Sequence, residues 1–214
     1  MLIGMHWRWL IVGLLSGSAA APQSQKSPPL SVGIVFDSSG SMRSKIDKSR
    51  EAVAQLFKTI SPQDEFFLIQ SSNRPVLVSG FTARTDEILN RLTSMQSEGG
   101  SGLLDAIYMA LHQVKKARNP RKALLVISDG ANNSSRYRES EIKNLTREAD
   151  VPVYAIGIYE SFALRGRTTE ELFGPGLLHG IAERSGAHHF AVETWAELPD
   201  VIAKLSTDLR TAQH

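Results

Sequence analysis

The chain has 214 residues, with 24 Lys and Arg against 22 Asp and Glu, a net charge of +2. That balance gives no pull toward nucleic acid or an anionic membrane. Cysteine is absent, which removes Cys-ligated zinc, iron–sulfur clusters, disulfides and thiol catalysis together. A single domain of this length buries roughly 70% of its unfolded surface and needs no covalent staple.

In chain order, residues 1–20 read as a signal peptide. Met1 to Arg8 is basic with no acid, Trp9 to Leu15 is apolar, and Ser18-Ala19-Ala20 offers the small residues that a signal peptidase accepts. The apolar run is too short to span a bilayer comfortably, so export to the periplasm or beyond is expected, with the segment either cleaved or kept as an anchor. Residues 21–29 form a linker, 30–210 one domain and 211–214 a short tail.

Within the domain, strand and helix patterns alternate. Ser31 to Asp37 is a near-continuous apolar strand, and Ser44 to Ile60 an amphipathic helix stopped at Ser61-Pro62. Glu65 to Gln70 and Arg74 to Phe81 are strands whose short link makes a hairpin. Helices follow over Thr85 to Gln96 and Gly102 to Arg118, then an apolar strand over Ala123 to Ser128. A helix over Ser140 to Ala149, a strand over Pro152 to Ile158 and a helix over Gly176 to Ser185 come next. A strand over His188 to Val192 and a helix over Leu198 to Leu209 complete the pattern. The alternation predicts an α/β, Rossmann-like open sheet of six mostly parallel strands with one antiparallel edge strand and helices on both faces.

Such sheets bind ligands outside the carboxyl ends of their strands, where strand order reverses. Asp37 and Asp129 each follow an apolar strand and should share that rim. Ser39 and Ser41 alternate with Asp37 along the turn, and Ser101 enters a helix after Gly99-Gly100. Carboxylates and hydroxyls are hard ligands that suit Mg²⁺ or Mn²⁺ and suit zinc poorly.

Asp37-x-Ser39-x-Ser41, Ser101 after the glycines, and Asp129-Gly130 resemble the metal-ion-dependent adhesion site of von Willebrand factor type A domains. The run Gly33 to Arg43, with Asp64-Glu65-Phe66-Phe67, looks closest to the secreted bacterial branch, and the resemblance covers residues 30 to 210. It implies a binding module, not an enzyme. Ser39, Ser41 and Ser101 would ligate Mg²⁺ through hydroxyls, and Asp37 and Asp129 directly or through water. A Glu or Asp from a protein partner would complete the coordination. The family usually has Thr where Ser101 stands; without the β-branch the rotamer is less restricted, so a weaker or more mobile site is expected.

Around this set, Gly40 and Gly130 would shape the two loops. Asp105 would serve either as an acceptor behind the metal or as a favourable charge near a helix N-terminus. Arg136 and Arg138 are candidates for steering an acidic partner, and Tyr159 is a candidate partner contact at the start of the long polar segment Tyr159 to Phe173, expected to reach the same rim. His112, His179, His188 and His189 lack metal-ligand spacing. Asn132 to Ser135 contains overlapping glycosylation sequons, and Asn144-Leu145-Thr146 is another.

Two other readings remain at this stage. One is a structural domain of the same fold with a vestigial metal site. The other is a Mg²⁺-dependent phosphohydrolase of the haloacid-dehalogenase type, which wants a second Asp where Ser39 stands and lacks an evident general base. Nucleotide binding by a P-loop fails because no Gly-x-x-x-x-Gly-Lys occurs.

Overall fold

β1, Leu30–Asp37, is buried along its whole length. Its neighbours are β2, Glu65–Ser71, and β4, Arg121–Ser128, and both pair with it in parallel. That position explains its sequence: a strand covered on both faces and both edges leaves little room for polar side chains. β3, Val76–Thr82, runs antiparallel to β2, whereas β5, Val153–Ile158, and β6, His189–Val192, continue the parallel side. The strand order is β3-β2-β1-β4-β5-β6, the six-stranded sheet with one antiparallel edge that the alternation predicts. The structure is a computed structural model that describes residues 28–159 and 168–211. The expected signal peptide, most of the linker and nearly all of the tail lie outside these residues.

Among the described residues six α-helices cover the sheet: α1 Ile46–Phe57, α2 Thr85–Ser94, α3 Leu103–Gln113, α4 Glu139–Ala149, α5 Thr169–Arg184 and α6 Leu198–Thr211. On one face Val32, Ile34 and Phe36 of β1 pack with Ala52, Val53 and Leu56 of α1 and with Ile202 and Leu205 of α6. On the other, Val35 joins Leu104, Ile107 and Leu111 of α3 and Leu178 and Ile181 of α5. Each fully buried Val, Leu, Ile or Phe among them contributes about 1.5–3 kcal/mol by leaving water. Among the described residues no helix is long and apolar enough to cross a membrane.

Two helix boundaries differ from expectation in an instructive way. α3 ends at Gln113 and tightens into a 3₁₀ turn at Val114–Lys116, as helix ends often do. α5 begins at Thr169, not Gly176. Thr168 and Glu171 form a reciprocal cap, the Glu171 amide donating to Thr168 Oγ1 at 3.3 Å and the Thr168 amide to Glu171 Oε2 at 2.9 Å. The helix then runs through Pro175, although proline removes one backbone donor.

The amino end of the sheet is tied by two buried carboxylates. Asp64 accepts from the Leu30 amide at 2.9 Å and from Arg210 at 2.5 Å, joining β1 to the last helix. Glu65 accepts from Ser31 Oγ at 2.7 Å and from both the amide and the guanidinium of Arg118. Burial pushes the Glu65 carboxyl up, but the Arg118 and Ser31 hydrogen bonds outweigh it and hold the group below its ordinary pKa. This end is a closed structural clamp; the carboxyl end is built differently.

Candidate metal centre

At the carboxyl end, β1 and β4 stop side by side where the strand order turns, and the expected crevice lies there. Asp37 is the last residue of β1 and fully buried. Its Oδ1 accepts the Ser39 amide at 2.9 Å; its Oδ2 accepts Ser128 Oγ at 2.5 Å and Ser101 Oγ at 3.5 Å. Ser39 Oγ and Ser41 Oγ are 3.1 Å apart on the turn that follows. Asp129, also buried, directs Oδ1 at the Ala131 amide, 3.0 Å away. The expected carboxylates and hydroxyls thus meet at one rim from three separate loops.

Hydrogen bonds between those loops hold the arrangement. The Gly40 amide donates to the Gly99 carbonyl at 2.9 Å, the Glu98 amide to the Ser38 carbonyl at 3.0 Å, and the Gly102 amide to the Ser72 carbonyl at 2.7 Å. Ser101 is clamped through its backbone. Its amide donates to Asn133 Oδ1 at 2.9 Å, while its carbonyl accepts from the amides of Asn133 and Ser134. Gly130 adopts φ +81°, and a Cβ there would lie 2.3 Å from the Gly174 carbonyl of α5. Only glycine fits that backbone and that approach.

Two buried carboxylates at one rim are electrostatically unfavourable by themselves. Burial and the nearby Asp129 charge push the Asp37 carboxyl up to about 6, against hydrogen bonds from Ser128 and Ser39 that favour its ionised form. A divalent cation would relieve that repulsion. No three His, Cys, Asp or Glu side chains gather at one point among the described residues, so a cation at this rim needs the serine hydroxyls. That donor set, two carboxylates and three hydroxyls, fits Mg²⁺ or Mn²⁺ by hardness.

The peripheral candidates separate. Asp105 is buried; its Oδ1 accepts the amides of Arg136 at 2.8 Å and Tyr137 at 3.1 Å, and its Oδ2 accepts Arg136 Nε at 3.1 Å. It latches the loop after β4 onto α3. Arg138 lines a cleft of about 420 Å³ beside Gly130 and Asn132, together with Tyr137 and the exposed Phe173. Tyr159 is buried, with its hydroxyl 3.0 Å from His189 Nε2. Residues 160–167 of the polar segment after it lie outside the described residues.

Residues 31–204 match the model of the von Willebrand factor type A domain. The chain belongs to that family. Inter-alpha-trypsin inhibitor heavy chain H4 of Bos taurus is 37% identical over 103 residues, 45% of this chain and 11% of that protein, so the chain spans a small part of that relative's length. Two solved structures share the type A architecture. One is the vWF domain of the type V pili tip protein Mfa5 from Porphyromonas gingivalis, with a TM-score of 0.65, 12% identity, and coverage of 88% of this chain and 99% of that one. The other is the pilus adhesin SpaC from Lactobacillus rhamnosus GG, with a TM-score of 0.66, 13% identity, and coverage of 86% and 30%. At these identities the structural likeness is one of fold.

Three contributors to this type A rim escaped the sequence reading. Ser128 hydrogen-bonds Asp37 and also accepts the Gly130 amide at 2.8 Å. Asn132 to Ser135, read as sequons, are the clamps that position Ser101 and the start of α3. Lys45, immediately before α1, is buried and places Nζ 2.5 Å from Asp129 Oδ2. Ser128 and the Asn–Ser run carry no distinctive signal. Lys45 carries one, a basic residue at the start of a helix.

Proposed function

We propose that this chain is an exported type A binding module that engages an acidic residue of a protein partner through a divalent cation, Mg²⁺ or Mn²⁺. The observation that carries the reading is the meeting of Asp37, Ser39, Ser41, Ser101 and Asp129 at the carboxyl ends of β1 and β4. Ser39, Ser41 and Ser101 would hold the ion through neutral hydroxyls, with Asp37 and Asp129 supplying the negative charge. When bound, the ion supplies an electron-poor position that an outside carboxylate can complete. Asp105 and Asn133 keep the loops in register, and Gly130 lets the Asp129 loop lie against α5.

Two further observations support a binding role. The fold neighbours include a pili tip protein and a pilus adhesin, which supports a binding role for the same architecture. The cleft lined by Arg138, Tyr137 and Phe173 adjoins the Gly130 loop and gives a partner apolar and cationic contacts beside the ion. Phe173 is 71% exposed, the kind of aromatic that anchors interfaces.

Capture of surface proteins on the immobilised full chain in Mg²⁺ tests the reading. A partner retained by wild type is expected to elute in EDTA and to pass over Ser41→Ala without retention. A partner that persists through EDTA and binds the variant equally would contradict metal-mediated engagement.

A further inference from the structure

Lys45 sits where a cation is least expected. It is the residue before α1, so its charge faces the positive end of a helix dipole. It is only 7% exposed, and a buried ammonium persists only when paired. Its Nζ lies 2.5 Å from Asp129 Oδ2 and 3.9 Å from Glu171 Oε1 at the start of α5. The other Asp129 oxygen already accepts the Ala131 amide. Both oxygens of one candidate ligand are therefore engaged by the protein itself.

We propose that Lys45 is a fixed counter-ion of the rim that holds Asp129 back from the metal and raises the charge of the loaded site by one. The inference rests on the metal-binding reading above and names the residue that tunes it. Lys45 repels an incoming dication, yet it attracts an incoming carboxylate. It therefore trades metal affinity for affinity toward the acidic ligand. Its removal has opposite signs on the two, which a purely structural role for Lys45 does not produce.

The test is calorimetric titration of the full chain with Mg²⁺, in chloride and then in acetate at equal ionic strength, for wild type, Lys45→Met and Lys45→Arg. In chloride, Lys45→Met is expected to bind Mg²⁺ about tenfold tighter, in line with loss of a like charge in a partly buried site. Acetate is expected to tighten Mg²⁺ binding in wild type and Lys45→Arg but not in Lys45→Met. Equal or weaker Mg²⁺ binding by a folded Lys45→Met, or an undiminished acetate effect, overturns the inference alone. Absence of Mg²⁺ binding by wild type overturns the metal reading with it. If Lys45→Met does not fold, a crystal structure of the wild type with Mn²⁺ decides. Lys45 still on Asp129, with Asp129 outside direct coordination, upholds the counter-ion; Lys45 displaced and Asp129 bound directly refutes it.

Discussion

Replacing Asp37 with Asn is expected to abolish Mg²⁺ binding and, in metal-free buffer at pH 7.5, to raise the thermal midpoint by about 5 °C. The two effects share one cause. Asp37 is fully buried, and burial with the Asp129 charge lifts its carboxyl from an ordinary 3.8 to about 6. Its ionised form is therefore disfavoured in the fold by about 3 kcal/mol. The sign follows directly: between pH 4 and 6 the folded state keeps a proton that the unfolded chain releases. Metal-free wild type should lose stability as pH rises through that window and gain none back above it. Asn removes the charge, keeps an oxygen for the Ser39 amide, and places a side-chain NH2 that can donate to Ser128 Oγ where Oδ2 accepted from it, so part of the 3 kcal/mol is recovered. Scanning calorimetry at pH 4, 6 and 7.5 in EDTA checks both halves. A less stable Asn variant at pH 7.5 would show that the carboxylate is not strained at this rim.

Gly130→Ala is the second large effect, with both metal binding and about 3 kcal/mol or more of stability expected to be lost. Left-handed backbone costs a non-glycine residue roughly 1–2 kcal/mol. The added methyl also meets the Gly174 carbonyl at 2.3 Å, a backbone atom that side-chain motion cannot clear. The loop must lift off α5, and it carries Asp129 on one side and the Ala131 amide that orients it on the other. The Gly130 amide also donates to Ser128 Oγ, which in turn donates to Asp37, so the disturbance reaches both carboxylates. A melting midpoint about 10 °C lower is the expected readout; a wild-type midpoint with intact Mg²⁺ binding would mean that the Gly130–Gly174 approach is not required.

The strand pattern was legible because β1 and β4 are buried on both faces, and nothing but an apolar run survives there. The rim ligands were legible because a carboxylate and alternating hydroxyls interrupt that run abruptly. Helix α5 was not. Gly174-Pro175-Gly176 reads as a break, but the Thr168–Glu171 cap starts the helix earlier, and Gly174 is small because the Asp129 carbonyl passes within 2.1 Å of where a Cβ would stand. The Asn132 to Ser135 clamp was hidden because polar loop residues look alike whether they face water or bond a neighbouring loop. Lys45 could have been found: a lysine just ahead of a helix opposes the dipole, and the carboxylates Asp37 and Asp129 are expected at the same rim.

Metal binding by this rim is the central claim, and Mg²⁺ calorimetry on the full chain beside Ser39→Ala tests it most directly. Because extracellular oxygen-ligand sites bind in the range of about 0.1–1 mM, the titration should extend into millimolar metal. The account predicts saturable one-site binding by wild type and none by a folded Ser39→Ala. Identical behaviour of the two proteins would contradict it and leave a type A scaffold that binds, if at all, through its loops.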